Sequence, residues 1–565
     1  MGRKKTVERK SSRSPKRDEQ NFDPITTFEP SSPGATSIGW TVVAVAMIVL
    51  LTIAVRIPLL DIPLERDEGE YAYIGWRLDH HELPYRDWIN QKPPAVFWVY
   101  NAAQSLPVNP VAAIHLMALI FSSLSACALF LLARRFMSLF WALLAAAAFV
   151  FLSADPLIQG TAANTEIFML LPLILSVLAF LKAAANDRHR ILYATLSGAS
   201  TGIAVAFKQV AVVNWVLPIV LLPVFVGPEN RVRRTLSFAG WSSIGFAGIW
   251  ASIAGYFAWN HALGDMVYNV FTHNLEYMNS LSSSARLSML KGTTAVLART
   301  EALVWILSAV GFVALWRSQR SKSLLFLIGW LFASVVGVSA SGYYFPHYFQ
   351  QFLPVLALAS AFAAAYLSGA RFWAGLPGWS RKGVLGMSVV ILPAITLYPF
   401  LFKYTPTESV RKIYPGNPFA EMPELAKRVS ELTSDTDKVF IFGSEPEVLF
   451  YAQRVSATRY IFLFPLYGPY QDAREKQVAT AKEVALSRPA AAVYIPNRLF
   501  SMPETEQYFT QWAKSYLQQD FSVSAYLTVD QLNHVHFVPP VDVQREAVPA
   551  DRRTFGALLI RNRTK

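Results

Sequence analysis

The stretch DIPLERDEGEYAYIGWRLDHHELPYRDWINQKPPAVFWVY, residues 61–100, lies between two runs apolar enough to cross a bilayer, and it is unusually acidic for such a connection. It holds eight acidic residues against four basic ones, whereas most other connections between apolar runs are short and basic. A turn between two spans does not require acidic, structured sequence. We therefore interpret this first outer loop, 61–107, as a place built for chemistry at the membrane surface.

The composition of the whole chain places it in a membrane. Hydrophobic residues make up 53% of the 565 residues, charged residues only 16%, and the mean hydropathy is +0.31. Soluble domains are about 45–50% apolar and about 25% charged. Cys127 is the single cysteine of the sequence, which excludes a disulfide framework and a thiolate metal site. The net charge of +13 comes largely from the N-terminal tail and from turns between apolar runs, so it does not indicate a nucleic-acid partner.

The apolar runs predict a polytopic α-helical protein with about eleven transmembrane helices. With the N-terminus in the cytoplasm, all five inside turns are basic, as the positive-inside rule expects, and the C-terminal region falls outside. Lys208 breaks this pattern among the short outer turns, so the pair of runs around it could also be one broken helix or a re-entrant pair. The predicted spans are roughly 38–60, 108–133, 137–154, 165–182, 191–207, 210–227, 236–259, 300–316, 323–341, 347–368 and 384–403.

Three regions follow from these patterns. Residues 1–37 form a basic, Ser- and Pro-rich tail that we expect to be disordered and cytoplasmic. Residues 38–403 form the membrane domain. Residues 404–565 alternate charged helical patterns with the short apolar runs 438–442 and 490–495, which predicts a small extracytoplasmic α/β domain. This domain carries no Gly-rich phosphate loop, so we interpret it as structural or as a guide for the acceptor.

The first outer loop contains the main candidates for catalytic and phosphate-binding residues. Asp67 and Glu68 follow the first span closely, and residues 68–79 have the spacing of an amphipathic helix that would lie on the bilayer surface. Lys92 precedes Pro93-Pro94, which favour the first turn of a helix, and a lysine there suits a phosphate. Carboxylates beside such a lysine predict sugar transfer from a lipid phosphate: a carboxylate takes the proton of the attacking acceptor, and the cation stabilises the leaving phosphate.

Several motifs in this order resemble the GT-C superfamily of membrane glycosyltransferases. The resemblance is to bacterial relatives of protein O-mannosyltransferases and of lipid A aminoarabinose transferase, in families 39 and 83, and it covers residues 38–403. Two further stretches, FGSEPE at 442–447 and ATRY at 457–460, resemble the outer domain of some bacterial members. The motifs are RDEGEYA at 66–72, QKPP at 91–94, NTE at 164–166, YYFPHYF at 343–349 and the following LP at 353–354.

The resemblance implies roles for individual residues. Asp67 matches the presumed catalytic base, and Glu68 would assist it or hold the acceptor. Lys92 matches the lysine thought to engage the donor phosphate, and Glu166 matches a second outer acid that is often Asp in the family. Transfer would be an inverting single displacement from a polyprenyl-phosphate sugar. Relatives that bind a metal ion tend to have Glu where this chain has Gln91, so no cofactor is firmly expected and a divalent ion is left open.

Four further residues are candidates for contact with the substrate, a phosphate or a metal ion. Each of them could also have a purely structural or interfacial role. Arg56, near the outer end of the first span, could reach the donor phosphate or simply snorkel to the interface. His273, in the long outer loop, could contact phosphate or metal, or be structural. Tyr344 and His347 stand at a span boundary, where they could contact substrate or belong to an interfacial aromatic belt.

The sequence thus predicts a glycosyltransferase, a hexosyl- or pentosyltransferase, of a bacterial-type inner membrane. Its partners would be a polyprenyl-phosphate sugar donor, membrane lipid, and an acceptor that is a glycan, a lipid or a protein. A transporter or flippase of lipid-linked saccharide is the alternative, but it should place ionisable groups near the bilayer midplane. A membrane scaffold is a third. The enzyme hypothesis requires Asp67, Glu68, Lys92 and Glu166 to converge on one cavity.

Overall fold

A computed structural model describes residues 35–370, 373, 375–468, 470–496, 508–531, 534–540 and 552–562. Of the tail 1–37 that is expected to be disordered, residues 1–34 lie outside the described residues. The expectation is wrong for residues 35–37, because helix α1 begins at Ala35.

The membrane domain is entirely helical apart from its connections. Each of the eleven predicted spans coincides with one of its helices. The helices are α1 Ala35–Arg56, α2 Arg66–Leu78, α3 Ala95–Gln104, α4 Pro110–Ala133, α5 Leu139–Ser153, α6 Thr165–Ala185, α7 Arg190–Phe207, α8 Val213–Phe225, α9 Arg231–Trp259, α10 Leu263–Val267, α11 His273–Asn279, α12 Ser283–Thr300, α13 Ala302–Arg317, α14 Ser321–Ser339, α15 Leu353–Ser368 and α16 Gly378–Phe402.

Fewer of these helices are long and apolar enough to span a membrane than the eleven spans that the sequence predicts. In the described part of the chain, seven are long and apolar enough, or eight if α12 and α13, bent by 89°, form one span. Helix α5 and the segment 209–225 are also apolar, but they are shorter than these seven helices. The polytopic helical architecture is confirmed, and the two runs around Lys208 are separate helices, α7 and α8.

The C-terminal region is a small α/β unit, as predicted, with strands at both apolar runs that the sequence singles out. Its sheet has the order β2-β1-β3-β6-β4-β5 among the described residues, with β1 parallel to β2 and β3, and the other pairs antiparallel. The elements are α17 Pro406–Ile413, α18 Met422–Leu432, β1 Lys438–Phe442, α19 Glu447–Ala452, β2 Val455–Ser456, α20 Ala473–Ser487, β3 Ala491–Tyr494, α21 Tyr508–Asp520, β4 Phe521–Val529, β5 Val535–Val538 and β6 Arg553–Arg561.

Helix α2 forms where the amphipathic pattern predicts it, but it is covered by protein on two sides, by α3 of the membrane domain and by α19 of the C-terminal unit. Glu65 and Glu68 form a capping box that fixes where the helix begins. The missing side chain of Gly69 lets the backbone of Glu447 approach, because a Cβ there would lie 2.7 Å from the Glu447 Cα. The amide of Ser456 donates to the Tyr73 hydroxyl at 2.9 Å. The buried apolar face therefore packs against protein, and the prediction that it lies on the bilayer surface is wrong.

Helices α7 and α9 pack closely through small residues. A Cβ on Gly198 would lie 1.8 Å from the carbonyl oxygen of Ser242, and one on Gly245 would lie 2.0 Å from that of Thr195. In contrast, a Cβ on Gly248, one turn further along α9, would meet no atom within 4 Å. Small residues at such crossings let backbones approach, which is how helices associate in membranes.

We expect Gly245→Ala to destabilise the protein by about 1–3 kcal/mol, because the added methyl group cannot fit without separating α7 from α9. Gly248→Ala, the control on the same helix, should be neutral or stabilising by up to about 1 kcal/mol, because alanine is the better helix former and open space receives its methyl group. Thermal unfolding of the detergent-solubilised protein measures both changes. Equal stability of the two variants would contradict the packing described.

Candidate functional site

A cavity of about 400 Å³ opens where the first loop, the turn after α14 and the C-terminal unit meet. Its wall combines carboxyl and cationic side chains from the first loop with aromatic rings from the other two parts. The lining residues are Glu65, Arg66, Asp67, Glu70, Ile89, Asn90, Gln91, Lys92, Gln159, Tyr277, Met289, Tyr343, Phe345, His347, Tyr348, Tyr414, Asn417, Phe419, Phe462, Phe464 and Pro465.

Asp67 and Lys92 form an ion pair on this wall. The Lys92 Nζ lies 3.3 Å from Asp67 Oδ2, and the Tyr71 hydroxyl donates to the same oxygen at 3.3 Å. The backbone of Lys92 is held on both sides: its amide donates to Asn90 Oδ1, and its carbonyl accepts from the Tyr85 hydroxyl. The lysine stands just before α3, as the sequence predicts, and both charged side chains are mostly buried.

Burial opposes ionisation of both partners, but the ion pair outweighs it. The Lys92 ammonium lowers the pKa of Asp67 below its ordinary value despite desolvation. Desolvation would likewise depress the pKa of Lys92, yet Asp67 and other nearby groups raise it. Glu70 also lines the cavity, and its burial, with the repulsion of Asp67, raises its pKa well above that of an ordinary glutamate. The site therefore combines an ionised Asp67 with a Glu70 that retains its proton to higher pH.

Glu166 stands behind the cavity wall. It is fully buried in the first turn of α6, where it forms an ion pair with Lys208. His347 connects it to the cavity: its Nε2 is 3.9 Å from Glu166 Oε1, and its Nδ1 is 2.5 Å from Gln159 Oε1. The Lys208 ammonium also lies 3.6 Å from the centre of the Tyr348 ring. Glu166 thus contributes charge near the cavity without lining it.

Lys208, the buried partner of Glu166 behind the cavity wall, is a residue that the sequence analysis does not select. Its signal is present in the sequence as the single short outer turn that violates the positive-inside rule. In the structure the lysine follows the end of α7, and its carboxylate partner explains why a cation is retained there.

Glu68 and Arg56 are buried away from the cavity. Glu68 Oε1 accepts from the Ala163 amide at 2.6 Å and lies 3.0 Å from His115 Nε2, while its other oxygen accepts from the Glu65 amide. The Arg56 guanidinium donates to the Ser153 carbonyl at 2.6 Å. Both residues join the first loop and first helix to neighbouring helices, and neither lines the cavity with Asp67 and Lys92.

His273 and Tyr344 also lie outside the cavity lining. His273 is buried, with the Tyr470 ring centre 4.5 Å away, and desolvation together with Lys476 lowers its pKa to about 4. Tyr344 has a φ of +48°, and its carbonyl accepts from the Thr293 hydroxyl. Its neighbour Tyr343 lines the cavity instead and stacks on Tyr277 at 4.5 Å.

Arg66 joins the first loop to the C-terminal unit. Its Nε donates to the Ser444 carbonyl at 2.5 Å, its terminal nitrogen lies 3.3 Å from Glu445 Oε1, and its guanidinium sits 5.3 Å from the centre of the Phe419 ring. Because Arg66 directly precedes Asp67, this contact places the carboxylate relative to the C-terminal wall of the cavity. The motifs RDEGEYA and FGSEPE, which the sequence analysis treats separately, therefore meet.

The donor set of the cavity does not form a metal site in the described part of the chain. No group of three or more His, Cys, Asp and Glu side chains there has the arrangement that could hold an ion. The carboxylate nearest Lys92, Asp67, is already paired with a cation.

Replacing Lys92 with methionine should raise the pKa of Asp67, because desolvation then acts without the ammonium that offsets it. The pH at which the Asp67 carboxyl is half-labelled by a water-soluble carbodiimide should increase by about one to three pH units. Peptide mass spectrometry measures this labelling without requiring any activity. Asp61, an exposed acid of the same loop, serves as the internal control and should label identically in both proteins. An unchanged Asp67 profile would contradict the ion pair.

Removing the Arg66 partner by Glu445→Ala should destabilise the protein by about 2 kcal/mol, because a charged hydrogen bond is lost and the guanidinium stays partly buried. Glu424→Ala removes an exposed carboxylate of α18 and should be nearly neutral. Thermal unfolding in detergent distinguishes the two. A Glu445 variant as stable as the Glu424 variant would show that this contact does not hold the two parts together.

Comparison with known proteins finds one matching family model and several solved structures with a similar fold. The family model described as dolichyl-phosphate-mannose-protein mannosyltransferase matches residues 91–253. The structure of ArnT from Cupriavidus metallidurans bound to undecaprenyl phosphate is similar at 16% identity and a TM-score of 0.57, over 93% of this chain and 98% of that one. No curated protein sequence matches the chain.

The arabinofuranosyltransferase AftD from Mycobacteria is also similar, at 13% identity and a TM-score of 0.51, over 94% of this chain but 40% of the longer AftD chain. At these identities the likeness concerns the fold, and it agrees with the family match in the first half of the membrane domain. The resemblance predicted from the sequence is confirmed: the chain is a multi-span membrane protein with the fold of the GT-C glycosyltransferases.

Proposed function

We propose that this protein is a glycosyltransferase that moves a sugar from a polyprenyl-phosphate donor to an acceptor at the outer face of the membrane. The Asp67–Lys92 pair on the wall of a cavity between the membrane helices and the C-terminal unit is the observation that carries the proposal. A base and a phosphate-binding cation are the two groups that such a transfer needs. The ArnT structure with bound undecaprenyl phosphate shares the fold, which supports a lipid-phosphate donor.

The proposed reaction is a single displacement at the anomeric carbon. A hydroxyl or amine of the acceptor attacks this carbon, and its bond to the sugar forms as the bond from carbon to the phosphate oxygen breaks. Asp67 takes the proton of the attacking group. Polyprenyl phosphate leaves, and Lys92 stabilises the negative charge that develops on it. The configuration of the anomeric centre is inverted.

Binding of the donor would also increase the basicity of Asp67. In the structure Lys92 is paired with Asp67 and depresses its pKa, which makes the carboxylate a weak base. When the Lys92 ammonium turns to the donor phosphate, part of this stabilisation is lost and the basicity of Asp67 increases. The carboxylate would thus become a better proton acceptor once the donor is in place.

The buried Glu166–Lys208 pair does not line the cavity, so its proposed role is to support the residues that do. It lies beside His347, which lines the cavity, and the proposed role of the three residues is to hold the polar wall near the donor phosphate. Glu68 and Arg56 would support the fold of the first loop. Neither touches the cavity, so we do not assign them to the reaction, and His273 and Tyr344 likewise have no proposed part in it.

The orientation and substrates are part of the same proposal. Basic inner turns support a cytoplasmic N-terminus and an extracytoplasmic C-terminal unit, in a bacterial-type inner membrane. The transferred sugar would be a hexose or a pentose, and the acceptor a glycan, a lipid or a protein. Lys92 supplies the positive charge in this scheme. A divalent ion is not assigned, because the carboxylates that line the cavity do not converge as a ligand set within the described residues.

The transporter alternative has no comparable support. A transporter should concentrate ionisable groups near the bilayer midplane. Here the buried pair of Glu166 and Lys208 lies at the first turn of α6 and just after the last turn of α7, at the same ends of the helices as the cavity.

Asp67→Asn should reduce sugar transfer by about 10²–10⁴-fold, because the amide cannot take the acceptor proton. Lys92→Ala should reduce it by about 10²–10³-fold through the lost stabilisation of the phosphate. Transfer is measured in membranes from a panel of radiolabelled polyprenyl-phosphate sugars. Asp61→Asn, an exposed acid of the same loop, is the matched control and should transfer normally. A normally expressed Asp67→Asn protein with wild-type transfer would show that Asp67 is not the base.

A further inference from the structure

A second cavity, of about 260 Å³, lies beside the first on the C-terminal unit. It is enclosed by the end of α17, the turn that follows it, and the neighbouring ends of strands β4 and β6. The residues that line it are Arg411, Lys412, Tyr414, Pro415, Gly416, Asn417, Pro418, Glu421, Val529, Arg553 and Phe555.

Two residues line both cavities. Tyr414 and Asn417 form the partition between the wall that holds Asp67 and the wall of the second cavity. Tyr414 is 8% exposed, and its hydroxyl has no hydrogen-bond partner among the residues that the structure describes. A buried hydroxyl without a partner is costly, and this one is available to a polar group that enters either cavity. The partition thus offers a contact to a molecule that occupies both cavities.

The second cavity is positively charged. Lys412 and Arg553 are exposed on its wall, and neither forms an ion pair with another described residue. Arg411 is held in place by Glu421, with its Nε 3.1 Å and its terminal nitrogen 2.9 Å from Glu421 Oε1. The lining therefore contains three cationic side chains and a single carboxylate, that of Glu421. Such a site favours an anion, and a guanidinium suits the oxygens of a phosphate.

We infer that the second cavity is an acceptor subsite that binds a phosphate group of the acceptor, with Lys412 and Arg553 as its main contacts. The remainder of the acceptor would pass Tyr414 and Asn417 and bring its nucleophile to Asp67. This inference rests on the proposed function for its biological meaning, whereas the binding itself does not require transfer to occur.

The place of the subsite leaves two sources for the phosphate. Helix α17 begins at Pro406, four residues after α16 ends at Phe402, so the cations stand close to the end of the last predicted span. A phosphate could therefore belong to a lipid headgroup at the membrane surface or to a soluble sugar phosphate. Both share the chemistry that Lys412 and Arg553 would recognise, and the experiment separates them.

The experiment measures protection of Lys412 from acetylation by a water-soluble ester, in full-length protein in nanodiscs, by peptide mass spectrometry. One arm adds glucose 1-phosphate or, as its neutral control, glucose to phosphatidylcholine nanodiscs. The other arm replaces part of the phosphatidylcholine with phosphatidic acid. We expect the phosphate-bearing probe to slow acetylation of Lys412 by about threefold or more, because its ammonium is then engaged. Protection in the first arm indicates a soluble phosphate, and protection in the second indicates a lipid.

Two controls are included: the acetylation rate of Lys427, and the protection of Lys412 in the variant Arg553→Gln. Lys427 is an exposed lysine of α18 outside the second cavity, and its acetylation rate should not change. Arg553→Gln should abolish the protection of Lys412 without changing the rate measured in the absence of probe. No protection in either arm, equal protection of Lys427, equal protection by glucose, or protection that persists in Arg553→Gln would each overturn the inference.

The outcomes also separate this inference from the proposed function. Protection of Lys412 in a protein that transfers no sugar would preserve the anion site and leave the glycosyltransferase proposal without support. Sugar transfer by a protein whose Lys412 is not protected would preserve the enzyme and remove the subsite. The variants used lie outside the Asp67 cavity, so their effects are not confused with loss of the base.

Discussion

The contact of Arg66 with the Ser444–Glu445 turn is the interaction on which the cavity depends. It joins residues almost 380 positions apart in the chain, and it does so with the side chain directly before Asp67. The glycine at position 69 allows α2 and α19 to approach closely enough for it to form. Without this contact, nothing directly next to Asp67 in the first loop would be bonded to the C-terminal unit, among the residues that the structure describes. With it, the first loop becomes a wall shared by the membrane domain and the C-terminal unit.

Burial gives this wall its electrostatic character. Desolvation alone would disfavour every charge in the cavity, and the residues escape that penalty in different ways. Asp67 and Lys92 offset it by pairing, Glu166 behind the wall does so with Lys208, and for Glu70 the pKa is raised. A site with closely spaced ion pairs can rearrange its charges when a phosphate enters, since one new anion changes which pairs are favourable. The proposed donor-dependent change in Asp67 follows from this arrangement.

Prediction from the sequence succeeds where the pattern is local. The helices, the strands at 438–442 and 490–495, the helix of the first loop and the place of Lys92 before α3 all follow from periodicity, proline and hydropathy. Asp67 and Lys92 are selected from the same local signals, and they meet. Glu68 is an acidic residue directly after Asp67 in the same helix, but its side chain contacts His115 and the Ala163 amide instead of the cavity. Which side of a helix is buried depends on what packs there.

The sequence by itself determines a polytopic helical membrane protein with a small α/β unit, because hydropathy and charge along the chain report directly on the bilayer. It also determines that acidic and cationic groups gather in the first loop. Only the tertiary structure decides that Glu166 acts with Lys208, that Arg66 holds Glu445, and that a second, basic cavity adjoins the first through Tyr414. These relations join segments 42 to 379 residues apart. Local patterns carry no information about such pairings, which arise from the packing of the whole chain.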